Sequence, residues 1–158
     1  MALFTAGYEG LTIESFIERL KKAKVAKVLD VREYPLSRKA GFSKKSFAER
    51  LANAGIDYEH IPALGCPKPI RNQYKVDGSW SLYTSGYRAY LGTQHAAVWG
   101  VIEQASRQHV CVVCFEADAQ YCHRSLIAEA AWQLAGSLVV RHLPIKTASL
   151  GDSVRAVA

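Results

Sequence analysis

The sequence predicts a three-layer α/β domain, a mostly parallel sheet with helices on both faces. Short apolar runs such as Val110 to Phe115 recur along the chain, and amphipathic segments with apolar residues at i, i+3, i+4 and i+7 lie between them. Strands that alternate with helices build a parallel sheet covered on both sides. The length of 158 residues, 49% of them hydrophobic and 22% charged, suits one core and excludes a disordered chain. A single domain over 1–158 is expected, with its core at about 3–143 and a tail at 144–158.

Leu3 to Gly7 reads as the first strand, ending at a glycine. Thr12 caps a helix whose apolar face is Ile13, Phe16, Ile17 and Leu20. Val25 to Val31 is a buried strand that ends in the polar group Asp30-Val31-Arg32. Glu33 to Phe42 holds Pro35 and Gly41 and reads as a loop. Ser43 is placed to cap a second helix, which carries Phe47 and Leu51 and stops at Gly55. Ile56 to Ile61 is a third strand. Pro62 to Ser81 has three prolines and little periodicity, so it is expected as a long loop. Together with helices over Leu82–Leu91 and Gln94–Arg107 it forms an insertion at about 62–107. Val110 to Phe115 is the clearest strand, and Glu116 to Cys122 a loop. A helix over Ser125–Ala135 ends at Gly136, and Leu138 to Leu143 is the last strand.

No apolar run approaches the roughly 20 residues that span a bilayer. The first residues lack a basic region followed by an apolar stretch, so a cytoplasmic location and no membrane partner are expected. Four cysteines are too few for a disulfide framework. In a reducing compartment they are core residues, metal ligands or reactive thiols. The net charge is +6, and it is uneven. Residues 1–75 hold 14 basic and 8 acidic side chains, while 76–158 hold 6 of each. The basic half offers a face to an anionic partner, a small anionic molecule or nucleic acid, unless it serves only solubility.

Ligands of open α/β sheets bind outside the carboxyl ends of the strands. The polar residues at those ends are Tyr8 and Glu9, Asp30 and Arg32, His60, and Cys114 with Glu116. The group Cys122-His123-Arg124-Ser125 leads into a helix. A helix N-terminus holds anions on free N–H groups, and Arg124 adds a fork-shaped donor. That field, with His123 beside it, favours thiolate at Cys122 or Cys114. The expected catalytic residues are therefore Cys114, Glu116, Cys122 and His123. The expected anion-binding residues are Tyr8, Asp30, Arg32, Ser37, Arg38, Arg124 and Ser125. In the bland alternative Ser125 only caps the helix, Arg124 pairs with Glu116 or Asp118, and the cysteines pack.

Cys111 and Cys114, three apart in a strand, point to opposite faces. Cys111 is expected in the core and Cys66 in a loop without a role. Cys114 and Cys122 are placed either to form a redox disulfide or to ligate a metal with Glu116 and His123. Their spacing matches no standard zinc pattern, so no cofactor is predicted and a metal ion is the minor alternative. Tyr83, Tyr87 and Tyr90 share a helix face behind Trp80, which reads first as packing and second as a base-stacking surface.

Three separated motifs resemble those of the bacterial domain of unknown function 488. They are Thr5-Ala6-Gly7-Tyr8; Val28-Leu29-Asp30-Val31-Arg32 with Pro35 and Ser37-Arg38; and Cys114-Phe115-Glu116 with Cys122-His123-Arg124-Ser125. The resemblance spans roughly residues 3–143 and implies a compact α/β fold with a shared polar site. A weaker likeness is to rhodanese-type sulfurtransferases, where a strand ending in Asp-Val-Arg and a cysteine-loop-arginine-helix unit recur. The spacing departs, because ten positions separate Cys114 from Arg124 and two separate Cys122 from Arg124. The leading functional expectation is a thiol-dependent enzyme acting on a small anionic or nucleotide-like substrate. A nucleic-acid-binding or nucleic-acid-modifying protein and a non-catalytic domain with a structural polar or metal cluster are the alternatives.

Overall fold

A computed structural model describes residues 1–144 and 155–157. Five parallel strands form the sheet: β1 (Ala2–Gly7), β2 (Lys27–Asp30), β3 (Asp57–His60), β4 (Val110–Cys114) and β5 (Val139–His142). A sixth, β6 (Arg155–Val157), pairs antiparallel with β5 at the edge. The order across the sheet is β3-β2-β4-β1-β5-β6. Six helices connect the strands: α1 (Ile13–Lys22), α2 (Lys44–Asn53), α3 (Lys68–Asp77), α4 (Trp80–Leu91), α5 (His95–Arg107) and α6 (His123–Ala135). This is the α/β fold expected from the alternation, with helices on both faces. Of the expected tail, Arg155–Val157 form the edge strand, and 145–154 and 158 lie outside the described residues.

The strand pleat divides the core in two. On one face Phe4, Val28, Cys111 and Val113 pack against Phe16 and Leu20 of α1 and Phe47 and Leu51 of α2. On the other Leu3, Leu29, Val112 and Cys114 pack against α4, α5 and α6. The period of two sends Cys111 and Cys114 to opposite faces, as their spacing requires.

Local sequence explains most of the boundaries. Thr12 Oγ1 accepts from the Ser15 N–H at 3.2 Å and starts α1. Ser43 precedes α2 but makes no such bond. Its hydroxyl donates to the Ser37 carbonyl and accepts from the Ser37 N–H, which closes the preceding loop. The expected loop from Pro62 to Ser81 contains α3 instead. Pro67 and Pro69 fall at its start, where their missing N–H groups cost nothing. Gly78 ends it in the left-handed conformation. Proline density reads as a loop, whereas proline position marks a helix start.

β1 and β4 are neighbours whose connections leave in opposite directions along the sheet, towards β2 and towards β5. Their carboxyl ends therefore flank a topological switch point, the usual place for a ligand crevice. Gly7 is aligned with Cys114 there. A Cβ at Gly7 would overlap the Glu116 carbonyl and come within 2.8 Å of Arg124 Nη1. Gly7→Ala is accordingly expected to destabilise the fold by about 1–3 kcal/mol, the usual cost of overpacking. Denaturant unfolding checks this, and a change below a few tenths of a kcal/mol would remove the close approach from the account.

Candidate functional site

The site starts at the end of β4. After Cys114 the chain turns out over residues 115–122 and re-enters as α6. Asp118 Oδ1 accepts from the Gln120 N–H and tightens a 3-10 turn over Ala119–Tyr121. Arg124, in the first turn of α6, reaches back beneath this loop. Its Nε donates to Thr5 Oγ1 at 3.2 Å and its Nη2 to the Ala117 carbonyl at 3.1 Å. Its Nη1 donates to the Glu116 carbonyl and to Cys114 Sγ, the latter at 3.0 Å. The guanidinium is 0% exposed. Burial lowers its pKa to about 10, so it stays cationic at neutral pH. Arg124 thus spends its donors on loop carbonyls, Thr5 and a sulfur, and pairs with neither the Glu116 nor the Asp118 carboxylate.

Cys114 and Cys122 are paired as a disulfide, one of the two arrangements their positions allowed, with their Cα atoms 7.7 Å apart. His123 Nδ1 lies 3.8 Å from Cys122 Sγ, and its Nε2 lies 2.7 Å from the Val31 carbonyl. A carbonyl only accepts, so Nε2 carries the proton and Nδ1 presents a lone pair to the sulfurs. Burial holds the His123 pKa down at about 4, which keeps the ring neutral. Glu116 Oε2 lies 3.3 Å from Cys122 Sγ. Glu116 is an exposed residue overall, yet protein crowds its carboxyl, and the lost water raises its pKa. Cys114, Cys122 and His123 bring their ligand atoms within 4.8 Å of one another, all three buried.

A second charged group flanks this cluster. Asp30 is fully buried and receives Arg32 through a two-bond fork, Nε to Oδ1 at 2.9 Å and Nη2 to Oδ2 at 2.7 Å. The Tyr58 hydroxyl donates to Oδ2 at 2.5 Å. Arg32 Nη1 donates to the Phe42 carbonyl at 2.6 Å and to the Tyr8 hydroxyl at 3.2 Å. Burial would lower the Arg32 pKa, but the Asp30 hydrogen bond and charge outweigh it and raise it. His60 Nε2 donates to the Arg32 carbonyl at 2.7 Å. This network ties the ends of β1, β2 and β3 to the 33–42 loop.

Both groups open into one cleft of about 490 Å³. Tyr8, Arg32, Ser37, Cys114, Glu116 and His123 line it. Of the other expected residues, Asp30, Cys122 and Arg124 lie beneath it. Arg38 is exposed and outside it, and Ser125 turns its hydroxyl to the Cys122 carbonyl at 2.8 Å. Cys66, Arg71, Tyr74 and Lys75 form a wall to which the sequence assigned no role, and Trp80, read there as packing or a stacking surface, completes it. The missing signal was α3, since only as a helix do Arg71, Tyr74 and Lys75 share a face. Cys66 is buried in this wall, and burial pushes its thiol up to about 11. The tyrosine stripe is packing: Tyr87 and Tyr90 donate to the Leu64 and Ala63 carbonyls at 2.6 and 2.7 Å and hold α4 to the Pro62–Leu64 turn.

The sequence model of the family described as "Domain of unknown function DUF488" matches residues 12–131. That span includes Asp30, Arg32, Cys114, Glu116 and Cys122 to Ser125, and leaves out the Thr5–Tyr8 motif. No curated protein and no solved structure matches the chain. The likeness to rhodanese-type sulfurtransferases finds no support in these comparisons. No helix among the described residues is long and apolar enough to cross a membrane.

Asp30→Asn would leave the buried Arg32 cation without its charge partner. The expected cost is about 3–5 kcal/mol. Adding Arg32→Met removes the stranded charge, so the double variant should be more stable than Asp30→Asn alone. A denaturation cycle over the two sites measures this, and strict additivity would show that the pair is not coupled.

Proposed function

The chain belongs to the DUF488 family, and within it we propose a thiol-dependent enzyme that acts on a small anionic or nucleotide-like substrate, with Cys114, freed by reduction of its bond to Cys122, as the reacting thiolate. One observation carries this reading. A fully buried guanidinium donates to Cys114 Sγ at 3.0 Å, on the wall of a cleft. A fixed cation beside a sulfur favours thiolate over thiol, and the thiolate is the nucleophile. Because Arg124 is locked by Thr5 and two carbonyls, its charge is held in place before any substrate arrives.

The other groups take roles that follow from position. Cys122 is the neighbouring sulfur, and Glu116 beside it is the group placed to take or give a proton at the cleft mouth. Neutral His123 orients the sulfurs through Nδ1. Arg71 and Lys75 offer positive charge to the substrate, and Trp80 and Tyr74 offer ring surface. A charged tail and a flat ring are what a nucleotide-like molecule presents.

The test is alkylation by iodoacetamide at pH 7, read by mass spectrometry on reduced, chelator-treated protein. Cys114 should react at least about tenfold faster than Cys66 and Cys111, whose thiols burial keeps protonated. Inorganic phosphate or a nucleoside monophosphate should slow it. Arg124→Gln should reduce the rate at Cys114 by about an order of magnitude in protein that still shows the native circular dichroism spectrum. Equal rates at all four cysteines would overturn the reading.

A further inference from the structure

The same sulfurs admit a second use. Cys114 closes β4 on one side of the loop and Cys122 precedes α6 on the other, so the fold brings two sulfurs together from separate elements. Their Cα atoms stand 7.7 Å apart. Relaxed disulfides keep that distance at about 4.4–6.8 Å. A cation held by both sulfurs spans a wider Cα separation than a direct bond does, and the reduced sulfurs part to admit it. The third donor is already prepared. His123 is 7% exposed, its Nε2–H is committed to the Val31 carbonyl, and its Nδ1 lone pair has the two sulfurs in front of it. A backbone carbonyl that fixes the tautomer of a histidine is the usual support of a metal-binding imidazole.

Charge argues the same way. Two buried thiolates carry two negative charges, and Arg124 supplies one positive charge to Cys114. One negative charge would remain buried without compensation, which is expensive. A divalent cation makes the thiolate pair neutral and leaves Arg124 with its carbonyl, threonine and sulfur partners. The donor set is two soft sulfurs and one imidazole, which suits zinc and not a hard cation such as magnesium.

We infer that Cys114 Sγ, Cys122 Sγ and His123 Nδ1 form a binding site for one zinc-class divalent cation, whose fourth position faces the cleft beside Glu116. The site forms once an external thiol reductant has delivered two electrons and two protons to the Cys114–Cys122 disulfide; binding to the reduced pair then displaces the proton of each thiol that was protonated, with no further electron transfer. Two sulfurs and one imidazole with an open fourth position form the pattern of a catalytic zinc site, as opposed to a closed structural one. The inference rests on the proposed function only in placing thiolate at Cys114. It assigns that thiolate as a ligand, and a bound metal holds it deprotonated.

The spacing of seven residues between Cys114 and Cys122 hides the site from sequence patterns. Standard zinc motifs place paired ligands on one short knuckle. Here one ligand ends a strand and the other two begin a helix.

The experiment is anaerobic titration of the reduced, metal-free chain with Co²⁺, followed by competition with Zn²⁺. One equivalent of Co²⁺ should produce sulfur-to-cobalt charge-transfer bands and the intense visible bands of tetrahedral coordination, and Zn²⁺ should abolish both. Cys114→Ser, Cys122→Ser and His123→Gln should each weaken Co²⁺ binding by at least about 100-fold. Cys111→Ser, on the opposite face, should leave it unchanged. Glu116→Gln should keep the metal and shift the visible bands. A measurement on the unaltered chain guards against unfolded variants: Zn²⁺ should protect Cys114 and Cys122 from alkylation and release protons on binding. Octahedral Co²⁺ bands, binding that survives Cys122→Ser, or no binding at all would each overturn the site. No metal binding with fast alkylation of Cys114 sinks the metal site and leaves the thiolate reading standing. Tight binding with a slow Cys114 in the metal-free chain keeps the metal site and sinks the nucleophile.

Discussion

The buried guanidinium of Arg124 is the constraint around which the site is arranged. A cation 0% exposed has lost its water, and no carboxylate replaces that water. The compensation comes from the Glu116 and Ala117 carbonyls, Thr5 Oγ1 and Cys114 Sγ. Each of these partners is then fixed in turn. The loop after β4 has to fold back so that two of its carbonyls point inward. β1 has to place a hydroxyl at Thr5 and no side chain at Gly7, because a Cβ would overlap the Glu116 carbonyl. The sulfur of Cys114 becomes the one partner in the set that can gain negative charge.

His123 extends this arrangement across the sheet. Its bond to the Val31 carbonyl links the start of α6 to the end of β2, where Asp30 and Arg32 hold the neighbouring network. Arg124 and His123 are adjacent in sequence and reach in different directions, one towards β1 and the other towards β2. Two consecutive residues therefore bridge the three central strands at the switch point. Fold stability and site geometry depend on the same bonds, so a variant that loses activity has to be tested for folding before it is read as chemistry.

The alternation of strands and helices was legible because pleat and helix periods act locally. The opposite facing of Cys111 and Cys114, and the gathering of Tyr8, Arg32, Cys114, Glu116 and His123 at strand ends, followed from the same rule. What stayed hidden was set by tertiary partners. Arg124 offers five donors, and nothing in its neighbours says that two loop carbonyls, a threonine and a sulfur will take four of them. Arg38 and Ser125 sat in suggestive motifs, but the loop closed by Ser37 and Ser43 leaves Arg38 outside the cleft, and Ser125 bonds back to its own turn. Arg71, Tyr74 and Lys75 were missed because two prolines at a helix start were read as loop formers.

The state of the cations in the cleft also bears on the kind of substrate proposed for it. Arg32 is paired with Asp30 and Arg71 with Glu33, the latter at 2.6 Å. Arg124 is spent on the loop and Cys114. The cations at the cleft are therefore largely committed to partners, and the excess of basic residues behind the net charge of +6 lies in residues 1–75. Under the proposed function, anion recognition would fall on Lys75 and on whatever Arg71 redirects from Glu33. Charge of this strength cannot select among anions by itself. Selection has to come from the ring surfaces of Trp80 and Tyr74, which are held by packing against Tyr83 at 4.6 and 5.3 Å between centroids. A simple inorganic anion would use only the weaker half of this cleft, whereas a molecule with both a ring and a negative group uses all of it.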